Sequence, residues 1–194
     1  HAGKLPFYRG RNILNWVLIN DEKEFGITVH FVDEGIDTGD IILQETFPIT
    51  EKDNYKTLLE KSYTSCANIL YQSLVQIFDN SHKRTTQKSV HPIGFYCGIR
   101  KEGDEIINWN NTSRDVFNFI RAISKPGPIA RTHNGIKEVT INKSIYIKEA
   151  PIYIGTVGQI LSKTDKGFLV KTKDSFIEIN EIEGVLRVGD KLGI

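Results

Sequence analysis

The chain has 194 residues, 39% hydrophobic and 25% charged, the proportions of an ordinary soluble globular protein with enough length to bury a core in one or two domains. A formal net charge of +1 gives no broad electrostatic footprint for nucleic acid, and no stretch approaches the ~20 apolar residues of a membrane span or reads as a signal peptide. Cys66 and Cys97 are the two cysteines; they lack metal-ligand spacing and fit a reduced, cytoplasmic setting.

In chain order, Leu5-Pro6-Phe7-Tyr8-Arg9-Gly10-Arg11 reads as a loop, because Pro6 disfavours helix before it and Gly10 permits a turn. Asn12 is placed to cap a short helix whose Ile13, Leu14, Val17 and Leu18 have the spacing of a buried stripe. Ile27, Val29 and Phe31 alternate with Thr28, His30 and Val32, a strand pattern, and Ile41–Phe47 reads as a second strand. Between them lies an acidic loop with Gly35 and Gly39 around Asp37.

A helix is expected from Asp53, with Leu59, Tyr63, Cys66, Ala67, Leu70, Leu74, Ile77 and Phe78 on one apolar face. On that reading Cys66 is core packing rather than a nucleophile. Residues 84–103 carry few periodic signals and read as an extended surface linker, which divides the chain into 1–103 and 104–194. Thr112-Ser113-Arg114-Asp115 begins another helix with a capping-box-like start; its apolar face is Val116, Phe117, Ile120 and Ile123, and Pro126-Gly127-Pro128 stops it. The stretches Lys137–Lys148, Gly158–Ser162, Phe168–Lys173 and Ser175–Ile182 are β-branched and separated by turn residues, the spacing of a small barrel or half-barrel.

The chemistry concentrates near the start. His1 and Asp37 brought together at neighbouring strand ends make a proton-handling pair: the imidazole holds or moves a proton near neutral pH, and the carboxylate orients it and stabilises its cation. His30 alternates on a strand, where core packing is the bland reading. His82, His91 and His133 have no spaced partner.

Four segments in order carry a resemblance. His1-Ala2-Gly3-Lys4-Leu5-Pro6-Phe7-Tyr8-Arg9-Gly10, Asn15-Trp16, Glu24–His30 and Asp33–Gly39 resemble the folate-dependent formyltransferases, whose pattern runs Asn-x-His-x-Ser-Leu-Leu-Pro-x-Tyr-Arg-Gly, Gly-x-Thr-x-His, Asp-x-Gly. The interval from the pattern's His to its final Asp is reproduced between His1 and Asp37. Two departures stand out: the family's Asn lies outside this chain, and Gly3-Lys4 replaces the commoner Ser-Leu. Asn108-Trp109, the Arg121-Ala122 helix end and the Gly158…Gly167 strand pair look like that family's C-terminal domain. The absence of methionine implies processing or a piece of a longer product, and the resemblance favours the second. A piece without the segment before His1 is expected to be inactive or nearly so alone.

The resemblance implies an α/β fold: the C-terminal part of a Rossmann-like catalytic domain, then a small, mostly-β barrel-like domain. It implies transfer of a formyl group from 10-formyl-tetrahydrofolate to an amine, with no metal. Carried over, His1 and Asp37 take the catalytic His and Asp roles. Asp37, Thr38, Gly39 and Asp40 border the folate's reactive end. Hydrogen bonds to a developing oxyanion contribute on the order of 3 kcal/mol in such chemistry. Lys4, Tyr8, Arg9 and Arg11 are candidate acceptor-binding residues, the arginines suiting phosphates. Near-neutral charge and this loop favour a nucleotide-linked amino sugar over tRNA as acceptor, with methionyl-tRNA formyltransferase as the runner-up. Homodimerisation is left open. Two other classes are weighed: an N-terminal-His copper enzyme, for which only position 1 speaks, and an oligonucleotide-binding barrel, which would need a basic, aromatic strand face.

Overall fold

The computed structural model describes residues 1–193. The chain forms two compact units, one of His1–Val17 with Glu22–Lys101, the other of Leu18–Asp21 with the chain from Glu102 onward.

The first unit is built on an antiparallel pair, β2 (Glu24–His30) and β3 (Ile41–Pro48), which follows a short strand β1 (Arg9–Gly10) and helix α1 (Ile13–Ile19). Phe25 and Ile27 are buried on one side of β2 with Leu5, Val17 and Leu58 in the same core; sequestering each such side chain stabilises by ~1.5–3 kcal/mol. The helix α2 (Tyr55–Phe78) packs on β2 and β3. Its start is set by Asn54, which accepts from the Thr57 amide while the Thr57 side chain caps Asn54 N in return, satisfying two otherwise orphaned N–H groups.

The face that α2 buries is not the expected one. Leu58, Ser62, Ile69 and Ser73 are buried, whereas Tyr63 is 71% and Phe78 80% exposed and Leu70 and Leu74 are also exposed. Small serines let the helix lie close to the strands, and a count of apolar residues alone ranks that face second. Cys66 accordingly is half-buried rather than core. Asn12 is not a side-chain cap: it has φ 56°, and its side-chain oxygen accepts from Arg100 N. Residues 84–103 are not a plain linker either. They contain a one-turn helix α3 (Gln87–Val90) and a strand β4 (Tyr96–Cys97) that pairs in parallel with β1.

The second unit is one six-stranded antiparallel sheet in the order β10-β5-β6-β9-β8-β7, covered by α4 (Ser113–Ala122). The strands are β5 (Ala130–Asn134), β6 (Lys137–Ile145), β7 (Ile160–Lys163), β8 (Phe168–Lys171), β9 (Phe176–Glu183) and β10 (Leu192–Gly193). β5 escaped the sequence reading because Ala-Arg-Thr-His-Asn lacks β-branched alternation; its pairing with β6 decides its conformation. Thr112 caps α4 by accepting from Asp115 N, and Val116, Phe117, Ile120 and Ile123 are buried as the helical spacing predicts. No helix among the described residues is long and apolar enough to cross a membrane.

Candidate active site

The opening residues run along the edge of β2 opposite β3. His1 N donates to Thr28 O at 3.0 Å and Thr28 N returns a bond to His1 O at 2.8 Å. The buried Thr28 hydroxyl donates to Gly3 O (2.7 Å) and accepts from Gln44 Nε2 (2.8 Å), whose second N–H reaches Leu5 O (2.9 Å). Register is thereby specified twice, by backbone and by side chains.

At the end of β2 the register shifts, Val29 facing Leu43 and His30 facing Ile41, so that Ile42 of β3 is the extra residue. The loop beyond β2 closes where Phe31 N meets Asp40 O at 2.9 Å. Gly39 is required there, since a Cβ would stand 1.7 Å from Phe31 O. Asp37 adopts φ 54°, a left-handed conformation that Asp tolerates better than most residues.

Three side chains meet at this point. Asp37 Oδ2 lies 3.5 Å from His1 Nδ1, and Asp37 Oδ1 lies 3.5 Å from His30 Nε2. The far nitrogen of each ring contacts a backbone carbonyl: His1 Nε2 with Tyr8 O at 2.8 Å, His30 Nδ1 with Phe31 O at 2.8 Å. A carbonyl only accepts, so each of those nitrogens carries the hydrogen. The tautomers are therefore set, and the nitrogens that face Asp37 are the ones able to take or give a proton. Asp37 Oδ2 also accepts from Gly10 N at 2.8 Å. The side chains of His1, His30 and Asp37 keep 11%, 14% and 19% exposure, enough contact with the surface for a reactant to reach them.

Gly3 explains a departure from the family pattern. A Cβ there would lie 2.3 Å from His1 Nε2 and 2.6 Å from Tyr8 O, so only glycine permits this His1–Tyr8 contact without displacement. The sequence reading paired His1 with Asp37, and the structure brings them together. His30, expected to be core packing, instead lies opposite Asp37, a placement that the Thr-x-His spacing signals. Gln87 had no local signal, because its partners are distant in sequence.

The remaining candidates are dispersed. Thr38 donates to Asp33 Oδ1 at 2.6 Å and, with a bond from Gly35 N, holds the Asp33 carboxyl below its ordinary value. Asp40 pairs with Arg84 at 2.8 Å, and Arg84 lies 4.5 Å from the Phe31 ring centre. Lys4 pairs with Glu24. Tyr8 is buried and donates from its hydroxyl to Glu22 Oε1 at 2.5 Å, so its ring is a wall rather than a free stacking surface. Lys4, Tyr8 and Glu22 line a cavity of about 350 Å³ together with Phe7, Phe25 and Phe95. Arg9 is held by Gln87 (3.1 and 2.6 Å), and Arg11 is exposed. No group of three or more His, Cys, Asp and Glu among the described residues could hold a metal ion.

Comparisons with known proteins identify the family. The "Formyl transferase" family model matches residues 1–74 and "Formyl transferase, C-terminal domain" matches residues 99–185. The chain is 37% identical over 183 residues to a methionyl-tRNA formyltransferase of Pelotomaculum thermopropionicum, covering 94% of this chain and 57% of that protein. Among solved structures it resembles WlaRD, a sugar 3N-formyl transferase crystallised with dTDP and 5-N-formyl-THF (TM-score 0.71, 29% identity, 96% of this chain and 65% of the other). It also resembles an N-formyltransferase from Helicobacter canadensis in complex with folinic acid and dTDP-3-aminofucose (TM-score 0.68, 28% identity, 92% and 63%). The chain thus spans little more than half the length of the curated relative it matches. With both family regions matched in order and His1, His30 and Asp37 converging at the end of β2, the chain belongs to the formyl transferase family.

Proposed function

We propose that the whole protein moves a formyl group from 10-formyl-tetrahydrofolate to the amine of a nucleotide-linked amino-deoxy sugar. The observation that carries the reading is the carboxylate of Asp37 set between two imidazoles whose tautomers are fixed by Tyr8 O and Phe31 O. Formyl transfer to an amine needs one proton removed from the attacking nitrogen and one delivered to the departing nitrogen. A carboxylate flanked by two proton-exchanging nitrogens suits both transfers.

The partly exposed carboxylate with two imidazoles beside it suits a folate carrier, whose transfer needs proton exchange at nitrogen. When bound, 10-formyl-tetrahydrofolate supplies an activated formyl carbon on a nitrogen leaving group. Asp37, Thr38, Gly39 and Asp40 are the residues proposed to border it. Asp37 takes and returns the proton, His1 and His30 hold or pass it at Nδ1 and Nε2, and Thr28 with Gln44 keeps the His1 segment in register. Arg11 and the Lys4–Arg9 loop are proposed to meet the acceptor. A methionyl-tRNA acceptor is the second reading, favoured by the 37% identity to a methionyl-tRNA formyltransferase; the near-neutral charge and the two sugar N-formyltransferase neighbours support the sugar.

Mass spectrometry of products from nucleotide-amino sugars and charged initiator tRNA, each with 10-formyl-tetrahydrofolate, decides the acceptor. Affinity at 50 and 200 mM salt gives a second readout. A nucleotide sugar is expected to lose little. A tRNA neutralising six or more phosphates loses about 10³-fold by the duplex-DNA slope, and less on a single strand. Formylated aminoacyl-tRNA with salt-steep binding overturns the sugar assignment.

A further inference from the structure

We infer that Gln87 is the positioning residue of this site, an inference that rests on the proposed formyl transfer. Gln87 opens α3 and is buried at 4% exposure. Its Nε2 donates to Asp37 O at 2.7 Å and to Gly39 O at 2.8 Å, and its Oε1 accepts from Arg9 Nε at 3.1 Å and Arg9 Nη2 at 2.6 Å. All four hydrogen-bonding positions of the amide are used. The orientation is unambiguous: a guanidinium only donates and a carbonyl only accepts, so the oxygen must face Arg9 and the nitrogen must face the loop.

The consequence is mechanical. Arg9 directly follows Tyr8, whose carbonyl holds His1 Nε2. Gln87 therefore joins the segment that orients His1 to the loop that presents Asp37. The loop needs such a hold. Residues 32–36 are exposed, Asp37 sits at φ 54°, and a left-handed non-glycine residue persists only where its surroundings over-determine it. Glutamate has the right length but cannot donate two hydrogen bonds to the two carbonyls; asparagine is one methylene short; leucine keeps the volume and loses all four bonds.

The test uses the whole protein, with Gln87→Leu and Gln87→Glu. Turnover is expected to fall about 10²-fold in both, as a displacement of roughly 1 Å does to a reacting group. KM for either substrate should stay within about threefold. In an Asp37→Asn background, Gln87→Leu should add less than about threefold, since a positioning residue has nothing left to position. A readout free of activity accompanies this: the ¹⁵N resonances of the His1 and His30 imidazoles are expected to move in Gln87→Leu, as Asp37 shifts against the nitrogens facing it. If Gln87→Leu does not fold, Gln87→Glu, which preserves shape, carries the test. Wild-type turnover in Gln87→Glu overturns the inference, as do unchanged imidazole resonances or full additivity with Asp37→Asn. If the unmutated protein transfers no formyl group, the functional reading fails instead, and the imidazole resonances alone decide whether Gln87 positions Asp37.

Discussion

Two polar clusters, one in each unit, are held in opposite ways. In the second, Lys171 has 0% exposure; its ammonium donates to Thr172 O at 2.7 Å and lies 4.4 Å from the centre of the Tyr153 ring. Trp109 donates to Thr132, and Ser113 N, Ser113 Oγ and Thr172 Oγ1 converge on Asp174 Oδ1. Each of these groups has a close hydrogen-bonding partner, which rigidifies the sheet around them. In the first unit, Asp37 faces His1 and His30 at 3.5 Å each, longer than a good hydrogen bond, with partial exposure and left-handed backbone at Asp37. The contrast teaches that the candidate site is distinguished less by its residue types than by imidazole nitrogens that face a carboxylate without a close hydrogen bond.

Three experiments on the whole protein press on that difference. The largest effect is expected from Asp37→Asn, which keeps the shape and removes the charge: turnover should drop ~10²-fold or more with substrate binding little changed, measured by steady-state kinetics. An unchanged rate would reduce Asp37 to a loop residue and dissolve the contrast.

A smaller effect is expected at a structural carboxylate of the first unit. Burial pushes the Asp53 carboxyl up, but hydrogen bonds from Lys61, Thr50 and Thr57 outweigh that and hold it at about 2. A depressed folded value means the ionised group favours the folded state. The contribution, roughly 2 kcal/mol at one pKa unit per 1.36 kcal/mol, is complete above the ordinary carboxylate range and lost as pH falls through about 2. Denaturant unfolding of Asp53→Asn should show a deficit of about 1–2 kcal/mol at neutral pH that closes between about pH 4 and 2. A deficit independent of pH would mean that packing, not charge, anchors the start of α2.

The smallest is Lys171→Met. Methionine restores an apolar filling while the Thr172 carbonyl loses its ammonium partner, and buried charges replaced by apolar groups are often near neutral in stability. The expected change is under ~1.5 kcal/mol by thermal unfolding, with turnover within about twofold. A tenfold loss of turnover would show that a polar group of the second unit takes part in the chemistry.

Local sequence was sufficient for whatever depends on short-range periodicity or on an unbroken motif. The β2–β3 pair, α4 with its Thr112 cap and four apolar positions, and the strands β6 to β9 are all legible from alternation, helical spacing and turn residues. The resemblance to the family pattern likewise pointed to His1 and Asp37, which the structure brings to 3.5 Å of one another. Tertiary structure alone decided the rest. The buried face of α2 runs through Ser62 and Ser73 because close approach to β2 and β3 favours small side chains over the larger apolar ones beside them. β5 is a strand because β6 and β10 supply its hydrogen-bonding partners. His30 joins the site because the loop between β2 and β3 brings Asp37 opposite its imidazole, and Gln87 reaches Asp37 from 50 residues away. A sequence records which groups are available; which nitrogen faces which oxygen depends on long-range pairing and packing that no local pattern carries.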